Sequence, residues 1–207
     1  MSSAGPERAP PGLLAVLGAL VLALVAFPLH AGAAGADTLE SRTDAETGLS
    51  SWHWQGAGLS LELAQLLPAQ TRAFFMGRGF GAEPAALVAE HCVFQAILRN
   101  THPEAALDLD LGRWRSLTRE GEHPLVLNRH WQEEWQTQEV TERARIAFRW
   151  ALFPTEHRFE PGDWLMGMLV SDHAPGTRFD LQLQWEAGGT AHEKRLDGLE
   201  CAPPEAP

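Results

Sequence analysis

The chain has 207 residues, which is long enough for one domain with a substantial core, and its 44% apolar and 21% charged residues are typical of a folded protein. Its formal net charge of −11 argues against a nucleic-acid partner, because a nucleic-acid-binding surface needs clustered Lys and Arg. The same charge is what solubility requires, so it does not by itself indicate a cationic ligand.

Residues 1–36 are predicted to be a targeting segment. Arg8 precedes an apolar run over residues 13–27, and the small residues at 34–36 fit an A-x-A cleavage site. The run is short for a membrane-spanning helix and suits a signal-peptide core. Cleavage would leave Asp37 as the mature N-terminus. The alternative is an uncleaved anchor that holds the protein to the inner membrane through residues 12–29. Both alternatives predict a periplasmic or secreted domain.

Residues 37–58 are polar and are predicted to be a flexible linker, although Trp52 and Trp54 alternate around His53 and indicate a short strand within it. Folded structure is expected over residues 59–201. It opens with a strand in which Leu59, Leu61 and other leucines alternate with polar residues.

A helical insertion is predicted at residues 68–90, where Pro68 and Pro84 each start a short helix and Gly77 ends the first. A sandwich can close without this insertion, and aromatic and Arg side chains are favoured in interface hot spots. The insertion is therefore predicted to carry a binding surface. In the alternative interpretation its aromatic side chains close the open end of the sandwich. The candidate residues are Arg72, Phe74, Phe75, Arg78 and Phe80.

Short strands are predicted at 92–100, 107–111 and 114–127. Asn128 then resembles the N-cap of a second helical insertion, at residues 128–137. Trp131 and Trp135 are four residues apart and lie on one helical face. They predict a helix that packs on the sheet through its tryptophans; the alternative is a platform for a carbohydrate.

The segment 145–170 is predicted to be the central hairpin of the domain, because both of its arms alternate with period two around a turn at residues 160–163. Phe148 and Trp150 of the first arm are expected to share one core with Leu181 and Leu183 of a later strand. The residues predicted to share a face are Ile146, Phe148, Trp150 and Leu152 in the first arm, and Trp164, Met166, Met168 and Val170 in the second.

Two strands end the predicted domain, at 178–185 and 190–196, and residues 202–207 are expected to be a disordered tail. The number of short strands and the absence of β-helix-β alternation favour antiparallel sheets. We therefore expect a mainly β fold, an immunoglobulin-like antiparallel β-sandwich with short helical insertions at about 68–90 and 128–137.

Two sets of residues suggest specific chemistry. Cys92 and Cys201 are the only cysteines, and in an exported protein they are predicted to form a disulfide. Thioether and imidazole ligands select copper(I), so a copper site is a possible alternative. Its ligands would be Met76, His91, Met166 and Met168.

The sequence contains none of the common catalytic motifs, such as G-x-S-x-G, H-E-x-x-H, C-x-x-C or a P-loop. We therefore predict a protein that is not an enzyme and needs no cofactor. The expected function is that of an accessory or protein-interaction module with a protein partner in the cell envelope. The alternative is copper(I) handling in the periplasm. Contact with a membrane is expected only if the N-terminal segment stays uncleaved.

Overall fold

The computed structural model describes residues 37–205, so the predicted targeting segment and the last two residues lie outside the described part of the chain. The described residues form three layers: an outer sheet, a central sheet, and a layer of helices on the far side of the central sheet. Both sheets are antiparallel, and 44% of the structure is strand against 24% helix. The prediction of a mainly β fold is therefore confirmed.

The central sheet has the strand order β1-β2-β3-β4-β9. Its first four strands pair in chain order and are all antiparallel; two helices lie between β3 and β4, and β9 returns later in the chain to pair with β4. The strands are β1 (Glu40–Thr43), β2 (Ser50–Gly56), β3 (Leu59–Gln65), β4 (Cys92–Asn100) and β9 (Trp164–Ser171).

The outer sheet is built around β10. This strand pairs with β11 along its length on one side, and with β6 and then β5 on the other. A short 3-10 turn, Leu111–Arg113, separates β5 from β6. The strands are β5 (Leu107–Asp110), β6 (Arg115–Thr118), β7 (Gly121–Pro124), β8 (Glu156–Phe159), β10 (Arg178–Ala187) and β11 (Thr190–Glu200).

The sandwich core lies between the two sheets. In β10, Phe179, Leu181, Leu183 and Trp185 are buried and alternate with more exposed polar residues, as the period of a strand requires. Trp185 packs edge-on against the Trp54 ring, with centroids 5.6 Å apart. The predicted cysteine pair is also at disulfide distance, with Cα atoms 5.2 Å apart.

The helical layer has a core of its own on the other face of the central sheet. Its centre is Phe148, whose ring centroid lies 4.8 to 5.6 Å from the ring centroids of Phe75, Phe80, Trp131 and Trp135. Both tryptophans are only 1% exposed, so the prediction that they pack their helix on the sheet is confirmed and a carbohydrate platform on them is excluded. The helices are α1 (Pro68–Met76), α2 (Ala82–Ala89), α3 (Asn128–Thr137) and α4 (Glu142–Ala151).

The prediction of a central hairpin is wrong in its first arm, because α4 occupies that segment. The Thr141 side chain caps this helix by accepting a hydrogen bond from the Ala144 backbone N–H, at 3.3 Å. Ala144 and Phe148, spaced by four residues, face the helical core. The prediction that Phe148 and Trp150 share one core with Leu181 and Leu183 is also wrong. Phe148 is buried in the helical core, Leu181 and Leu183 are buried in the sandwich core, and Trp150 is 80% exposed. The second arm is a strand, β9.

Two segments predicted to lack structure are ordered parts of the fold. The proposed linker 37–58 contains β1 and β2, and Trp52 and Trp54 bury their rings in the sandwich core. Hydrophobic burial thus overrides the polar composition of this segment. In the proposed tail, Ala202 is buried and its carbonyl accepts a hydrogen bond from Gly176, while Glu205 pairs with Arg72.

The immunoglobulin-like assignment is not confirmed. Immunoglobulin sandwiches use Greek-key connections between their sheets, whereas four consecutive strands form a meander in this central sheet. Among residues 37–205, no helix has the length and apolar character needed to cross a membrane.

Candidate interaction surface

Large apolar side chains are exposed mainly on α4 and β9. Among the described residues, four of the five exposed large hydrophobic side chains belong to these two elements: Ile146 (40%), Trp150 (80%), Trp164 (55%) and Met166 (51%). We call these four residues the α4–β9 patch. Single exposed apolar residues are ordinary, but grouped ones indicate an interaction site.

The β9 part of the patch follows from strand alternation. Trp164, Met166, Met168 and Val170 share a face as predicted, but the helical layer covers only the last two. Trp164 stands opposite Arg99 in β4, whose guanidinium carbon lies 5.7 Å from the centre of the indole ring. The cation thus borders the apolar surface directly.

The α4 part of the patch follows from helical spacing. Ile146 and Trp150 are four residues apart and therefore lie on one side of the helix, away from Phe148. After the helix, Leu152 forms a parallel bridge with Met168 of β9. Because the pairing is parallel, Trp150 lies on the Met166 side of this bridge. Both halves of the patch therefore belong to one region of the surface.

The five predicted interaction residues lie elsewhere, in α1 and the turn that follows it. Phe75 and Phe80 are 0% and 5% exposed, so they are packing residues and not part of a binding surface. They pack in the helical core on the face of the central sheet, however, and do not close the open end of the sandwich. Phe74 is half-buried, and the guanidinium carbon of Arg78 lies 3.2 Å from its ring centroid. Arg72 is tied to Glu205 in an ion pair.

The sequence-based predictions miss the α4–β9 patch because the period-two pattern of residues 145–152 predicts a strand where the structure has a helix. A signal for the helix was available: Ala144, Phe148 and Leu152 recur every four residues after Thr141, a good N-cap residue. Reading that spacing would have placed Ile146 and Trp150 on the solvent side.

The four residues predicted to bind copper are not brought together. Met76 ends α1 at the turn of the α1–α2 hairpin, whereas His91 follows α2 at the opposite end. Met166 accepts a hydrogen bond from the Gln95 amide, with N and S 2.9 Å apart, and Met168 is 91% buried in the helical core. Among residues 37–205, these side chains therefore form no common set of copper(I) ligands.

A second feature is a groove of about 370 Å³ lined by several histidines. His91 Nδ1 lies 3.3 Å from Asp172 Oδ1, and burial lowers the pKa of His91 against the opposing effect of that carboxylate. The groove also contains His123, His130 and Glu133. Within the described part of the chain, no three His, Cys, Asp or Glu side chains converge at metal-binding geometry.

A buried serine–histidine contact lies near this groove. His173 Nε2 is 3.0 Å from Ser116 Oγ, and the Ser171 hydroxyl donates to the same oxygen at 3.2 Å. Ser116 is 0% exposed, so no substrate can reach its hydroxyl in this conformation. Its contacts instead join β6 of the outer sheet to β9 of the central sheet.

No protein-family model, no curated protein and no solved structure matches this chain. A function is therefore inferred from the residues of the chain itself.

Proposed function

We propose that the protein is an exported, non-catalytic interaction module that binds a protein partner of the cell envelope through the α4–β9 patch. The observation that carries this proposal is the 80% exposure of Trp150 on a helix whose opposite side is fully packed. Residues 37–205 leave the Trp150 side chain largely uncovered, so a binding partner is needed to bury it.

The residue types of the patch suit a protein interface. Trp and Arg are enriched among interface hot spots, and a covered Trp buries on the order of 150–250 Å². Two exposed tryptophans, Trp150 and Trp164, therefore provide a substantial apolar anchor. Arg99 beside the Trp164 ring supplies a charged border, which is typical of the rim around such an anchor.

The non-catalytic part of the proposal rests on the missing catalytic motifs and on the inaccessible hydroxyl of Ser116. Export is supported by the apolar run at 13–27 and by the pair Cys92–Cys201, since disulfides persist in oxidising compartments.

Site-specific photo-crosslinking tests the proposal. A photo-crosslinking residue replaces Trp150 or Trp164 in the full chain, and adducts are analysed in envelope fractions of the producing cells. As a matched control, the same residue replaces Arg178, whose side chain is 78% exposed on the outer sheet. We expect one and the same adduct from positions 150 and 164 and none from position 178.

A second variant shows whether the adduct depends on the patch. Adding Trp164→Ala to the position-150 probe should strongly reduce the adduct, because the exposed ring can be removed without opening a core. The proposal is overturned if position 150 gives no adduct, if position 178 gives the same one, or if Trp164→Ala leaves the yield unchanged.

A further inference from the structure

We infer that the α4–β9 patch selects an acidic, amphipathic segment of its partner, in which aromatic or aliphatic anchors alternate with Asp or Glu. This inference rests on the proposed function and adds the chemistry of the ligand. It is carried by three exposed arginines that border the patch.

The three arginines are Arg99 on β4 and Arg143 and Arg149 on α4, and all are exposed. Arg143 precedes Ile146 by three residues and Trp150 by seven, so it lies on the same side of the helix. The guanidinium of Arg99 is held beside Trp164. Cationic groups therefore border both halves of the apolar surface.

Within residues 37–205, none of these three arginines forms an ion pair with a carboxylate. Exposed arginines elsewhere differ among themselves: Arg158 and Arg195 on the outer sheet each pair with a carboxylate, whereas Arg119 and Arg129 form no ion pair within residues 37–205. The chain has 27 acidic residues against 16 Lys and Arg. Carboxylates are therefore abundant, yet within the described residues none pairs with the three arginines beside the exposed tryptophans.

Carboxylates also lie near the patch, but none is ion-paired with the three arginines within residues 37–205. Glu62 of β3 shares the sheet face of Met166, because it pairs with Ile97, which in turn pairs with Met166. Glu142 occupies the first turn of α4, where it interacts favourably with the helix N-terminus. Asp163 precedes β9, and its carboxylate accepts a hydrogen bond from the Glu160 backbone N–H at 2.9 Å. The guanidinium groups are thus left available for carboxylates of a partner.

Charge also favours a peptide segment over a lipid surface. The chain as a whole carries −11, so an anionic membrane would repel most of the domain. A short acidic segment interacts only with the arginines within a Debye length, about 8–10 Å. The attraction between the three arginines and a short acidic peptide is therefore retained. For a membrane, the repulsion from the rest of the acidic protein would offset the same attraction.

Selection from a phage-displayed library of random peptides tests this inference. The purified full-length protein is the bait, and peptides that bind a Trp150→Ala/Trp164→Ala variant are removed first. We expect enriched peptides to combine Asp or Glu with Leu, Phe or Trp. Binding of the best peptide, measured by fluorescence anisotropy, should weaken about fivefold to tenfold in Arg143→Glu/Arg149→Glu.

The control variant carries the same change in net charge at a distance from the patch. Arg119 and Arg129 are exposed in the turn after β6 and in the first turn of α3, so Arg119→Glu/Arg129→Glu should keep the wild-type affinity. The inference is overturned if no peptide is enriched, if the enriched peptides are neutral or basic, or if both double variants weaken binding equally.

Other occupants are separate outcomes of the same experiments. If the protein floats with phosphatidylglycerol vesicles, and this depends on Arg143 and Arg149, then the ligand of the patch is a lipid surface and not a peptide. Self-association in sedimentation equilibrium that Arg143→Glu/Arg149→Glu abolishes would replace it by a second copy of the chain. Either result overturns the inference. A missing crosslink at position 150 instead removes the proposed function, so the two failures are distinguishable.

Discussion

Gly167 of β9 lies directly against the backbone of Phe153. A Cβ atom added at Gly167 would be 2.8 Å from both the backbone N and the Cα of Phe153. At this point the chain leaves the helical layer, where Leu152 is buried, and enters the sandwich core, where Phe153 is buried. The Phe153 N–H donates a hydrogen bond to the Met168 carbonyl at 2.9 Å. This bond holds the segment that follows α4 against β9, at the edge of the central sheet.

Gly167→Ala should therefore destabilise the domain. The new methyl group would push against main-chain atoms, which cannot rotate away, and such overpacking typically costs about 1–3 kcal/mol. Gly77→Ala is the matched control, because Gly77 has helical φ and an added Cβ would make only ordinary contacts of 3.4 Å or more. Urea unfolding measures both variants, and equal midpoints would contradict the prediction.

Truncations at two nearby positions of α4 should differ strongly in their effect on stability. Phe148→Ala removes the centre of the helical core and is expected to cost about 3–5 kcal/mol of unfolding free energy. Trp150→Ala removes a side chain that is 80% exposed, so the thermal midpoint should stay close to that of the wild type. A large loss of stability in Trp150→Ala would show that α4 packs through its other side.

Acid should destabilise the fold through His173. Burial lowers the pKa of His173 below its ordinary value of 6.5, and nearby His123 acts in the same direction, while Asp172 and Glu120 oppose the shift. The unfolded chain therefore binds a proton more readily than the folded one. The contribution of neutral His173 is fully present above about pH 6.5 and is lost as the pH falls below it.

His173→Gln tests this pH dependence, because a Gln side chain can still form a hydrogen bond with Ser116 Oγ but does not titrate. Urea midpoints are measured for both proteins between about pH 7.5 and pH 5. The variant should lose less stability over that interval than the wild type, whatever its stability at neutral pH. Since His91 also has a lowered pKa, part of the acid effect should remain. Parallel curves for the two proteins would remove His173 as the cause.

Reduction of the Cys92–Cys201 pair should destabilise the domain markedly. The two residues are 109 positions apart, and for a loop of this size chain entropy alone predicts about 4–5 kcal/mol. Urea unfolding with and without dithiothreitol measures the effect. In the Cys92→Ala/Cys201→Ala variant the reductant should change nothing. An unchanged wild-type midpoint after complete reduction would contradict the prediction.

Much of the sheet structure was predictable from local patterns. The alternation in β3, β4 and β10 is strong because one face of each strand meets the sandwich core. The prolines at 68 and 84 marked the helical insertion, and the spacing of Trp131 and Trp135 marked the buried face of α3. These signals depend only on residues close in sequence.

The α4–β9 patch was harder to predict in this way. The segment 145–152 fits period two as well as period four, and the one local signal for the helix was the N-cap residue Thr141. In the folded protein, the packing of Phe148 among four other aromatic rings stabilises the helix. Likewise, Trp164 and Met168 share one face of β9, but α4 and its neighbours cover only Met168.

The sequence by itself determined the mainly β composition, the candidate cysteine pair and the faces of most strands, because each of these follows from residue type and local spacing. The tertiary structure alone decided that a third layer of helices covers one half of the central sheet and leaves the other half open. The physical reason is that burial depends on which surfaces meet. Trp54 in β2 and Trp150 in α4 have the same side chain and gain the same free energy when buried. Only the fold determines that Trp54 is buried and Trp150 is exposed.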